Sequence, residues 1–259
     1  MSARIVAVVQ ARTSSQRFPQ KVLADVEGHP VLIRLVRRVS GSSECSALAV
    51  ATSTREEDDA VAHLAESEDV AVVRGPLDDV LERYRLAAEV LDAEAVVRVT
   101  GDCPLVDPHV IDDVVRRFRE SSADYVSNVR PPTFPDGLDV EVISRDALDR
   151  CAREAALPSE REHVTAYIAE HPELFRSENV AHKPDLSGMR WTVDYPDDLE
   201  FVRAVFRTFR GREDAFGMEE VVAALSRDQQ LAVLMPTRAR NEGLARSRAS
   251  EEPSLDSAG

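Results

Sequence analysis

The loop that follows the first apolar run is dense in groups able to hold a polyphosphate. It reads Gln10-Ala-Arg-Thr-Ser-Ser-Gln-Arg-Phe-Pro-Gln-Lys-Val-Leu23 and offers Arg12, Arg17 and Lys21, the hydroxyls of Ser14 and Ser15, and several backbone amides. Such donors can grip a triphosphate and offset charge at a transferring phosphorus. It is not a Walker loop, because the glycines and the Gly-Lys-Ser/Thr ending are absent. On composition alone, a solvated basic loop is the competing reading. Two further segments end an apolar run in an aspartate: Arg98-Val-Thr-Gly-Asp-Cys-Pro-Leu-Val-Asp-Pro108 and Arg190-Trp-Thr-Val-Asp-Tyr-Pro-Asp-Asp-Leu-Glu200. Asp102 follows a glycine that permits close backbone approach, and its carboxylate suits Mg2+. A turn-making aspartate ahead of Pro104 is the alternative. Asp107, directly before Pro108, reads as a helix N-cap. Asp197 and Asp198 suit a first helical turn, whereas Asp194 precedes that turn and is less easily explained as a cap. Asp102 and Asp194 could meet across a crevice and clamp one metal ion, although spacing alone does not bring them together. Cys103 has no evident neighbouring base and reads as packing, not as a nucleophile.

The elements that must position these groups follow from apolar periodicity. Ile5–Gln10, Leu48–Thr52, Val70–Val73 and Ala95–Val99 are short, nearly continuous apolar runs, as expected of strands covered on both faces. Helical patterns lie between them at Pro30–Val39, Asp58–Ala65, Leu77–Leu91 and Pro108–Arg119. This alternation predicts an α/β fold with a doubly wound, mostly parallel sheet, whose ligand crevice lies at the carboxyl ends of the strands. After Tyr125 the rhythm breaks at a turn-rich stretch containing Pro131, Pro132, Pro135 and Asp136-Gly137. Leu138–Ile143 alternates as a half-exposed strand would. Helices are expected at Arg145–Glu154, Glu160–Glu170, Pro196–Phe209 and Met218–Ser226, with strands near Glu178–His182 and Arg190–Val193. Residues 1–228 read as one domain in which 125–190 forms an acceptor-side insertion, and 229–259 read as a disordered tail.

Bulk properties narrow the partners. The chain has 259 residues and a formal net charge of -15, which disfavours nucleic acid. Residues 1–38 nevertheless carry Arg4, Arg12, Arg17, Lys21, Arg34, Arg37 and Arg38 against Asp25 and Glu27, a local basic site suited to a small anion. Arg34, Arg37 and Arg38 are expected on a helix surface. No apolar run approaches the roughly 18 residues of a membrane span, so no membrane partner is expected. The N-terminus reads as a first strand and not as a signal peptide. Cys45, Cys103 and Cys151 fit neither a disulfide framework nor a metal-ligand pattern, so a cytoplasmic setting is expected.

Taken together, the segments QARTSSQRFPQKVL, RGPLDDVLERY (Arg74–Tyr84), RVTGDCPLVDP, GLDVEVIS (Gly137–Ser144), EREHVTAYI (Glu160–Ile168) and RWTVDYPDDLEFV (Arg190–Val202) resemble the cytidylyltransferase family. That family includes the spore-coat polysaccharide proteins and the enzymes that activate acylneuraminate and deoxy-octulosonate sugars. The likeness runs from about Ile5 to Leu225. It implies a nucleotide-diphospho-sugar transferase (GT-A-like) fold, CTP as donor and Mg2+ as cofactor. Carried over residue by residue, Arg12, Ser15, Arg17 and Lys21 bind the triphosphate. Gln10, Ala11, Thr52, Ser53, Arg74, Gly75 and Thr100 face the base and ribose, and Asp102 and Asp194 hold the metal. Ser14 and Gln20 stand where the spore-coat branch usually has glycine, which puts the loop's path in question. Many members are dimers, so a homodimer is an assembly the resemblance allows.

Asn128, Asp139, Glu141 and His163 are the candidates on the acceptor side. Asp139 and Glu141, two apart on an alternating strand, would share one face and could accept hydrogen bonds from sugar hydroxyls. A solvated strand face and an ordinary helix-surface histidine are the competing readings. A glycosyltransferase using a nucleotide sugar and a non-catalytic nucleotide-binding subunit also remain open at the level of sequence.

Overall fold

Residues Ile5–Gln10 form β1, and its side chains alternate between two apolar layers. Ile5, Ala7 and Val9 enter the larger core, while Val6 and Val8 enter a second core on the opposite face. A strand covered on both sides must be apolar at every position, which accounts for the unbroken run. The computed structural model describes residues 3–251. In it, β1 is followed by a two-residue pair, β2 (Asp25–Val26) and β3 (His29–Pro30), and then by α1 (Val31–Val39), β4 (Ala47–Ser53), α2 (Asp59–Ser67), β5 (Ala71–Gly75), α3 (Val80–Val90), β6 (Ala95–Thr100) and α4 (Pro108–Glu120). As expected for a first-turn proline, α4 opens at Pro108 and is capped by Asp107, which accepts from the His109 N–H at 2.8 Å.

The main sheet has the order β5-β4-β1-β6-β8-β7-β9, with β5, β4, β1 and β6 mutually parallel. The chain moves outward from β1 to β4 and β5, then returns to place β6 on the other side of β1. This reversal is a topological switch point, where the loops at the strands' carboxyl ends part and leave a crevice. The loop after β1 carries Arg12, Arg17 and Lys21, and the loop after β6 carries Asp102. The predicted α/β, mostly parallel, doubly wound architecture is the one observed.

Past α4, the strands β7 (Tyr125–Ser127), β8 (Glu141–Ser144) and β9 (Ser177–Asn179) continue the same sheet, so residues 125–190 are part of it and not a separate inserted body. Only β8 runs antiparallel to its neighbours, pairing Glu141 with Arg98 of β6 and with Ser127 of β7. The expected half-exposed strand over 138–143 is therefore corrected. Leu138, Val140, Glu141, Val142 and Ile143 are all buried, because the charge in the alternating pattern faces a buried arginine and not water. The expected strand at 190–193 makes a single bridge, Asp136 to Arg190. Beyond that bridge, the Val193 N–H donates to the Asp102 carbonyl in the loop after β6. The expected helix 160–170 is split into α6 (Pro158–Glu162) and α7 (Ala166–Glu170), with Val164 at φ 50° between them. Around these, α5 (Arg145–Glu154), α8 (Pro196–Thr208) and α9 (Met218–Arg227) form close to expectation.

Two charge assignments also change. Arg34 and Arg38 of α1 are buried, not on the surface. Their guanidinium groups donate to main-chain carbonyls: Arg34 to Val26 and Glu27, and Arg38 to Val106, Glu213 and Phe216. Periodicity cannot show such acceptors, because they come from distant loops. Within the stretch expected to be a disordered tail lie α10 (Gln229–Leu234) and α11 (Glu242–Glu251). Leu231 anchors α10 in the core, and α11 is held by polar contacts described below. The end of the tail, 252–259, lies outside the described residues. Among the described residues no helix is long and apolar enough to cross a membrane.

Candidate active site

The phosphate-type loop is shaped by its own hydroxyls and amides. Thr13 donates its N–H and its hydroxyl to one oxygen of buried Asp58, at 2.7 and 2.8 Å, and Ser53 donates to the other oxygen. The Thr13 carbonyl then accepts from the N–H groups of Ser15 and Gln20, both at 2.9 Å, folding the loop back on itself. Gln20 takes a left-handed conformation (φ 58°, ψ 20°), and a short turn beginning at Lys21 follows it. A non-glycine residue tolerates that conformation at a cost of about 1–2 kcal/mol. The loop thus turns at Gln20 even with a side chain in place.

At the end of this loop Lys21 is nearly buried, and its ammonium lies 2.6 Å from Asp102 and 2.8 Å from Asp194. The two strand-end aspartates therefore do meet. What joins them is backbone: the Val193 N–H donates to the Asp102 carbonyl at 2.8 Å, and the Thr192 hydroxyl donates to the same oxygen at 3.2 Å. Gly101 is required by crowding, since a Cβ there would come within 2.5 Å of the Gln10 carbonyl oxygen. Gly137, at φ 110°, lets residues 136–138 pack on the backbone of Trp191 and Thr192.

Behind Asp194 sits Arg190, which donates to Asp194 at 3.0 Å, Asp198 at 3.1 Å and Asp136 at 2.9 Å. Asp198 in turn accepts from the backbone N–H groups of Asp194 and Tyr195. Arg17 also donates to Asp194, and its guanidinium lies 5.6 Å from the centre of the Tyr195 ring. Burial by itself would raise the pKa of Asp194. Lys21 and Arg17 overcome that and hold it well below the ordinary carboxylate range. Burial likewise opposes ionisation of Asp102 and Lys21, yet their mutual attraction lowers the first and raises the second. The result at neutral pH is one ammonium between two carboxylates.

Other expected site residues divide into those the crevice gathers and those the scaffold uses. Arg12 is paired with Glu162 of α6 at 3.0 Å. The Ser15 hydroxyl has only a long contact to the Phe18 N–H, at 3.5 Å. Thr52 stands near the end of β4, fully buried, and its hydroxyl has no hydrogen-bond partner among the described residues. The Gln10 carbonyl accepts from the Gly101 N–H at 2.8 Å. Ala11 donates its N–H to the Ala51 carbonyl. The Ser53 hydroxyl serves Asp58, and Arg74 donates to the carbonyls of Ser53 and Arg55 and pairs with Asp59. Gly75 makes room for α3, because a Cβ there would crowd Arg83 and Leu86. The Thr100 hydroxyl contacts the Cys103 thiol at 3.0 Å, and burial pushes that thiol well above its usual range.

The acceptor-side candidates are also held by contacts within the fold. Both ends of the Asn128 side-chain amide are used within the fold, donating to the Leu138 carbonyl at 2.7 Å and accepting from the Val140 N–H at 2.8 Å. Glu141 is consumed by Arg98 and the Tyr125 hydroxyl. Asp139 lies before β8 and pairs with Arg240. His163 contacts the Ser247 hydroxyl at 2.9 Å. Sequence reasoning missed Asp58, Arg190, Asp198 and Arg240. The first three carried the signal of acids and a base inside matched segments or beside a helix start, whereas Arg240 lay in the stretch read as a tail. A cleft of ≈ 440 Å³ opens beside this edge, lined by Thr54, Arg55, Pro76, Leu77, Pro158 and Arg161 among others, and none of its walls is Lys21, Asp102 or Asp194.

A cytidylyltransferase family model matches residues 6–234, nearly the whole described chain. The chain belongs to the cytidylyltransferase family. It is thus a nucleotidyltransferase, which sets aside the glycosyltransferase and non-catalytic readings. Its sequence is 30% identical to the spore coat polysaccharide biosynthesis protein SpsF of Bacillus subtilis over 235 residues, covering 88% of this chain and 96% of that one. Its fold superposes with a TM-score of 0.83 on a cytidylyltransferase from Leptospira borgpetersenii, at 27% identity and over 89% of this chain and 96% of that chain. A CMP:2-keto-3-deoxy-manno-octonic acid synthetase complexed with CTP shares the fold at a TM-score of 0.62 and 17% identity, over 80% of this chain and 99% of that chain. Within this family, the crevice at the β1/β6 switch point is where the basic loop and the two aspartates of this chain converge.

Proposed function

We propose that the protein transfers CMP from CTP to a small hydroxyl- or oxyanion-bearing acceptor, with Mg2+ as cofactor and pyrophosphate as leaving group. The observation that carries this reading is Lys21 held between Asp102 and Asp194 at the switch point of the sheet. An acceptor oxygen attacks the α-phosphorus, the bond from that phosphorus to the bridging oxygen breaks, and pyrophosphate departs with the electron pair, while the proton of a hydroxyl acceptor passes to solvent. Arg12, Arg17 and Lys21 bind the triphosphate, with Ser15 and the loop amides, and offset charge on the leaving group. Thr52 contacts the nucleoside through its unpartnered hydroxyl, and the neighbouring cleft accommodates the pyrimidine end. Asp139 and His163 border the acceptor. A sugar-type acceptor would suit the Bacillus relative's name, which places that protein in spore coat polysaccharide biosynthesis.

The donor set fits a divalent ion that arrives with its nucleotide. Among the described residues no group of three or more acidic, histidine or cysteine side chains forms a complete cage. Mg2+ commonly uses one or two carboxylates together with phosphate oxygens and waters. Asp102 and Asp194 supply that pair, and the ion would stabilise the charge developing on the phosphate groups. Lys21 and Arg17, then relieved of the aspartates, are free for phosphate oxygens. Thermal shift with CTP, UTP, ATP and GTP, each with and without Mg2+, tests the reading, since bound ligand raises the melting temperature with occupancy. A CTP-specific, Mg2+-dependent rise is expected. No response to any nucleotide would overturn it.

A further inference from the structure

The segment that crosses this crevice last is the C-terminal one, and its attachment is unlike that of the rest of the fold. α11 has no buried residue. Between α10 and α11 the chain runs without regular structure, and its contacts are made by Arg238 and Arg240. Arg238 donates to Asp197 at 2.6 Å and to Asp198 at 3.2 Å, and its guanidinium lies 4.3 Å from the centre of the Tyr195 ring. Arg240 donates to the Phe134 carbonyl at 2.9 Å and pairs with Asp139. Those contacts fasten the segment to the bank that holds Asp194. Farther on, the Ser247 hydroxyl donates to Glu162 at 3.0 Å, and Glu251 accepts from the Ser159 N–H and hydroxyl at 2.5 and 2.7 Å. These fasten it to α6, the opposite bank. Midway, Glu242 accepts from the Tyr195 hydroxyl at 3.0 Å.

We propose that residues 236–251 are a closing strap across the crevice, latched to both banks by polar contacts and released when the phosphate loop takes up an anion. The trigger is a shared carboxylate. One oxygen of Glu162 accepts from Arg12 of the phosphate loop, and the other accepts from Ser247 of the strap. An anion that draws Arg12 away leaves Glu162 without its cation and free to turn, which loosens the latch at Ser247. Partly exposed ion pairs are individually weak and screened by salt, and a segment with no apolar anchor belongs to the easily opened part of a structure. Opening then admits the acceptor beside the bound nucleotide, and reclosing follows when the anion leaves the loop. This rests on the reading of residues 12–21 as the phosphate loop.

Hydrogen exchange and rapid-mixing binding test the strap, with Mg2+ plus inorganic tripolyphosphate as the probe. In the full chain without ligand, amides of α11 are expected to exchange at least about tenfold faster than those of α8, and faster again when NaCl is raised from about 0.05 to about 0.5 M. Tripolyphosphate should speed their exchange further. A chain ending at Met235 should bind tripolyphosphate with an association rate at least about threefold higher than the full chain. The double variant S247A/E251Q, which leaves α10 and the core untouched, should move the rate in the same direction. Exchange of α11 as slow as that of α8, or association rates equal in all three proteins, would overturn the strap. Tripolyphosphate binding to none of them would instead overturn the phosphate-loop reading, and the trigger with it.

Discussion

The backbone N–H of Val193 donates to the carbonyl of Asp102 at 2.8 Å, and with the Thr192 hydroxyl on the same oxygen it ties together the segments that carry the two acidic side chains of the site. Asp102 ends a central strand, whereas Asp194 ends a stretch that is not part of the sheet. With that link the two carboxylates converge on Lys21, whose ammonium offsets their mutual repulsion.

That arrangement makes Lys21→Met a sharp test. Removing the ammonium leaves two neighbouring carboxylates with less compensation, and the ligand-free protein should lose about 3 kcal/mol of stability. Urea unfolding measures the loss. Added Mg2+ should restore part of it in the variant and do much less in the parent. Asp102→Asn and Asp194→Asn should each abolish turnover. An unrescued Lys21→Met, together with active asparagine variants, would remove the metal assignment.

The parallel half of the sheet was legible because fully buried strands must be apolar throughout, as in Ile5–Val9. The convergence of Asp102 and Asp194 was legible only as an option, since it depends on a hydrogen bond between segments some ninety residues apart. Glu141 shows where pattern reading failed. Alternation of polar and apolar residues looks the same whether the polar face meets water or a buried arginine. The tail misled for a similar reason: a segment held by Arg238, Arg240 and Ser247 has no apolar periodicity to detect.

A scaffold role for Glu141 makes a testable prediction. Its carboxylate is held by Arg98 and Tyr125 inside the sheet, so Glu141→Ala should strand a buried arginine and cost about 3–5 kcal/mol. Chemical denaturation would register this as a lower midpoint. The conservative Glu141→Gln should fold better and keep its affinity for CTP. A stable Glu141→Ala protein with an altered acceptor KM would return this residue to the acceptor site.

Asp139 should leave a signature in the pH dependence of stability. Burial pushes its carboxyl up to about 6, against the pull of Arg240, with Asp136 and Glu141 adding to the rise. A carboxyl whose pKa is raised on folding binds protons more tightly in the folded state, so its contribution weakens as pH climbs from the unfolded value of about 3.9 to the folded one. The stability difference between Asp139→Asn and the parent should therefore shift in favour of the variant from about pH 4 to about pH 6, then level off. Asp194 has the opposite sign. Its depressed pKa stabilises the fold above the unfolded value, and that stabilisation fades as pH falls below about 4. Thermal melts across this range separate the two, and a flat difference for Asp139→Asn would contradict the first.

Nucleotide choice is the most direct test of the site's base-facing end. Telling cytosine from uracil means reading a pyrimidine edge on which N4 donates where O4 accepts. The Thr52 hydroxyl, near the end of β4, is buried and unpartnered among the described residues, which makes it a candidate for reading that edge. An unsatisfied buried hydroxyl costs about 1–3 kcal/mol and is tolerated where a ligand completes it. Thr52→Val keeps the shape and deletes the hydroxyl, so the ligand-free protein should be as stable as the parent or more so. Its affinity for CTP should fall by about 1 kcal/mol, or several-fold. The parent should bind CTP with Mg2+ at least about tenfold more tightly than UTP, ATP or GTP, a margin of about 1.4 kcal/mol. Isothermal titration of both proteins with all four nucleotides supplies every number needed. Equal binding of UTP or a purine nucleotide by the parent would defeat the CTP preference, and an unchanged CTP affinity in Thr52→Val would move base reading to another residue.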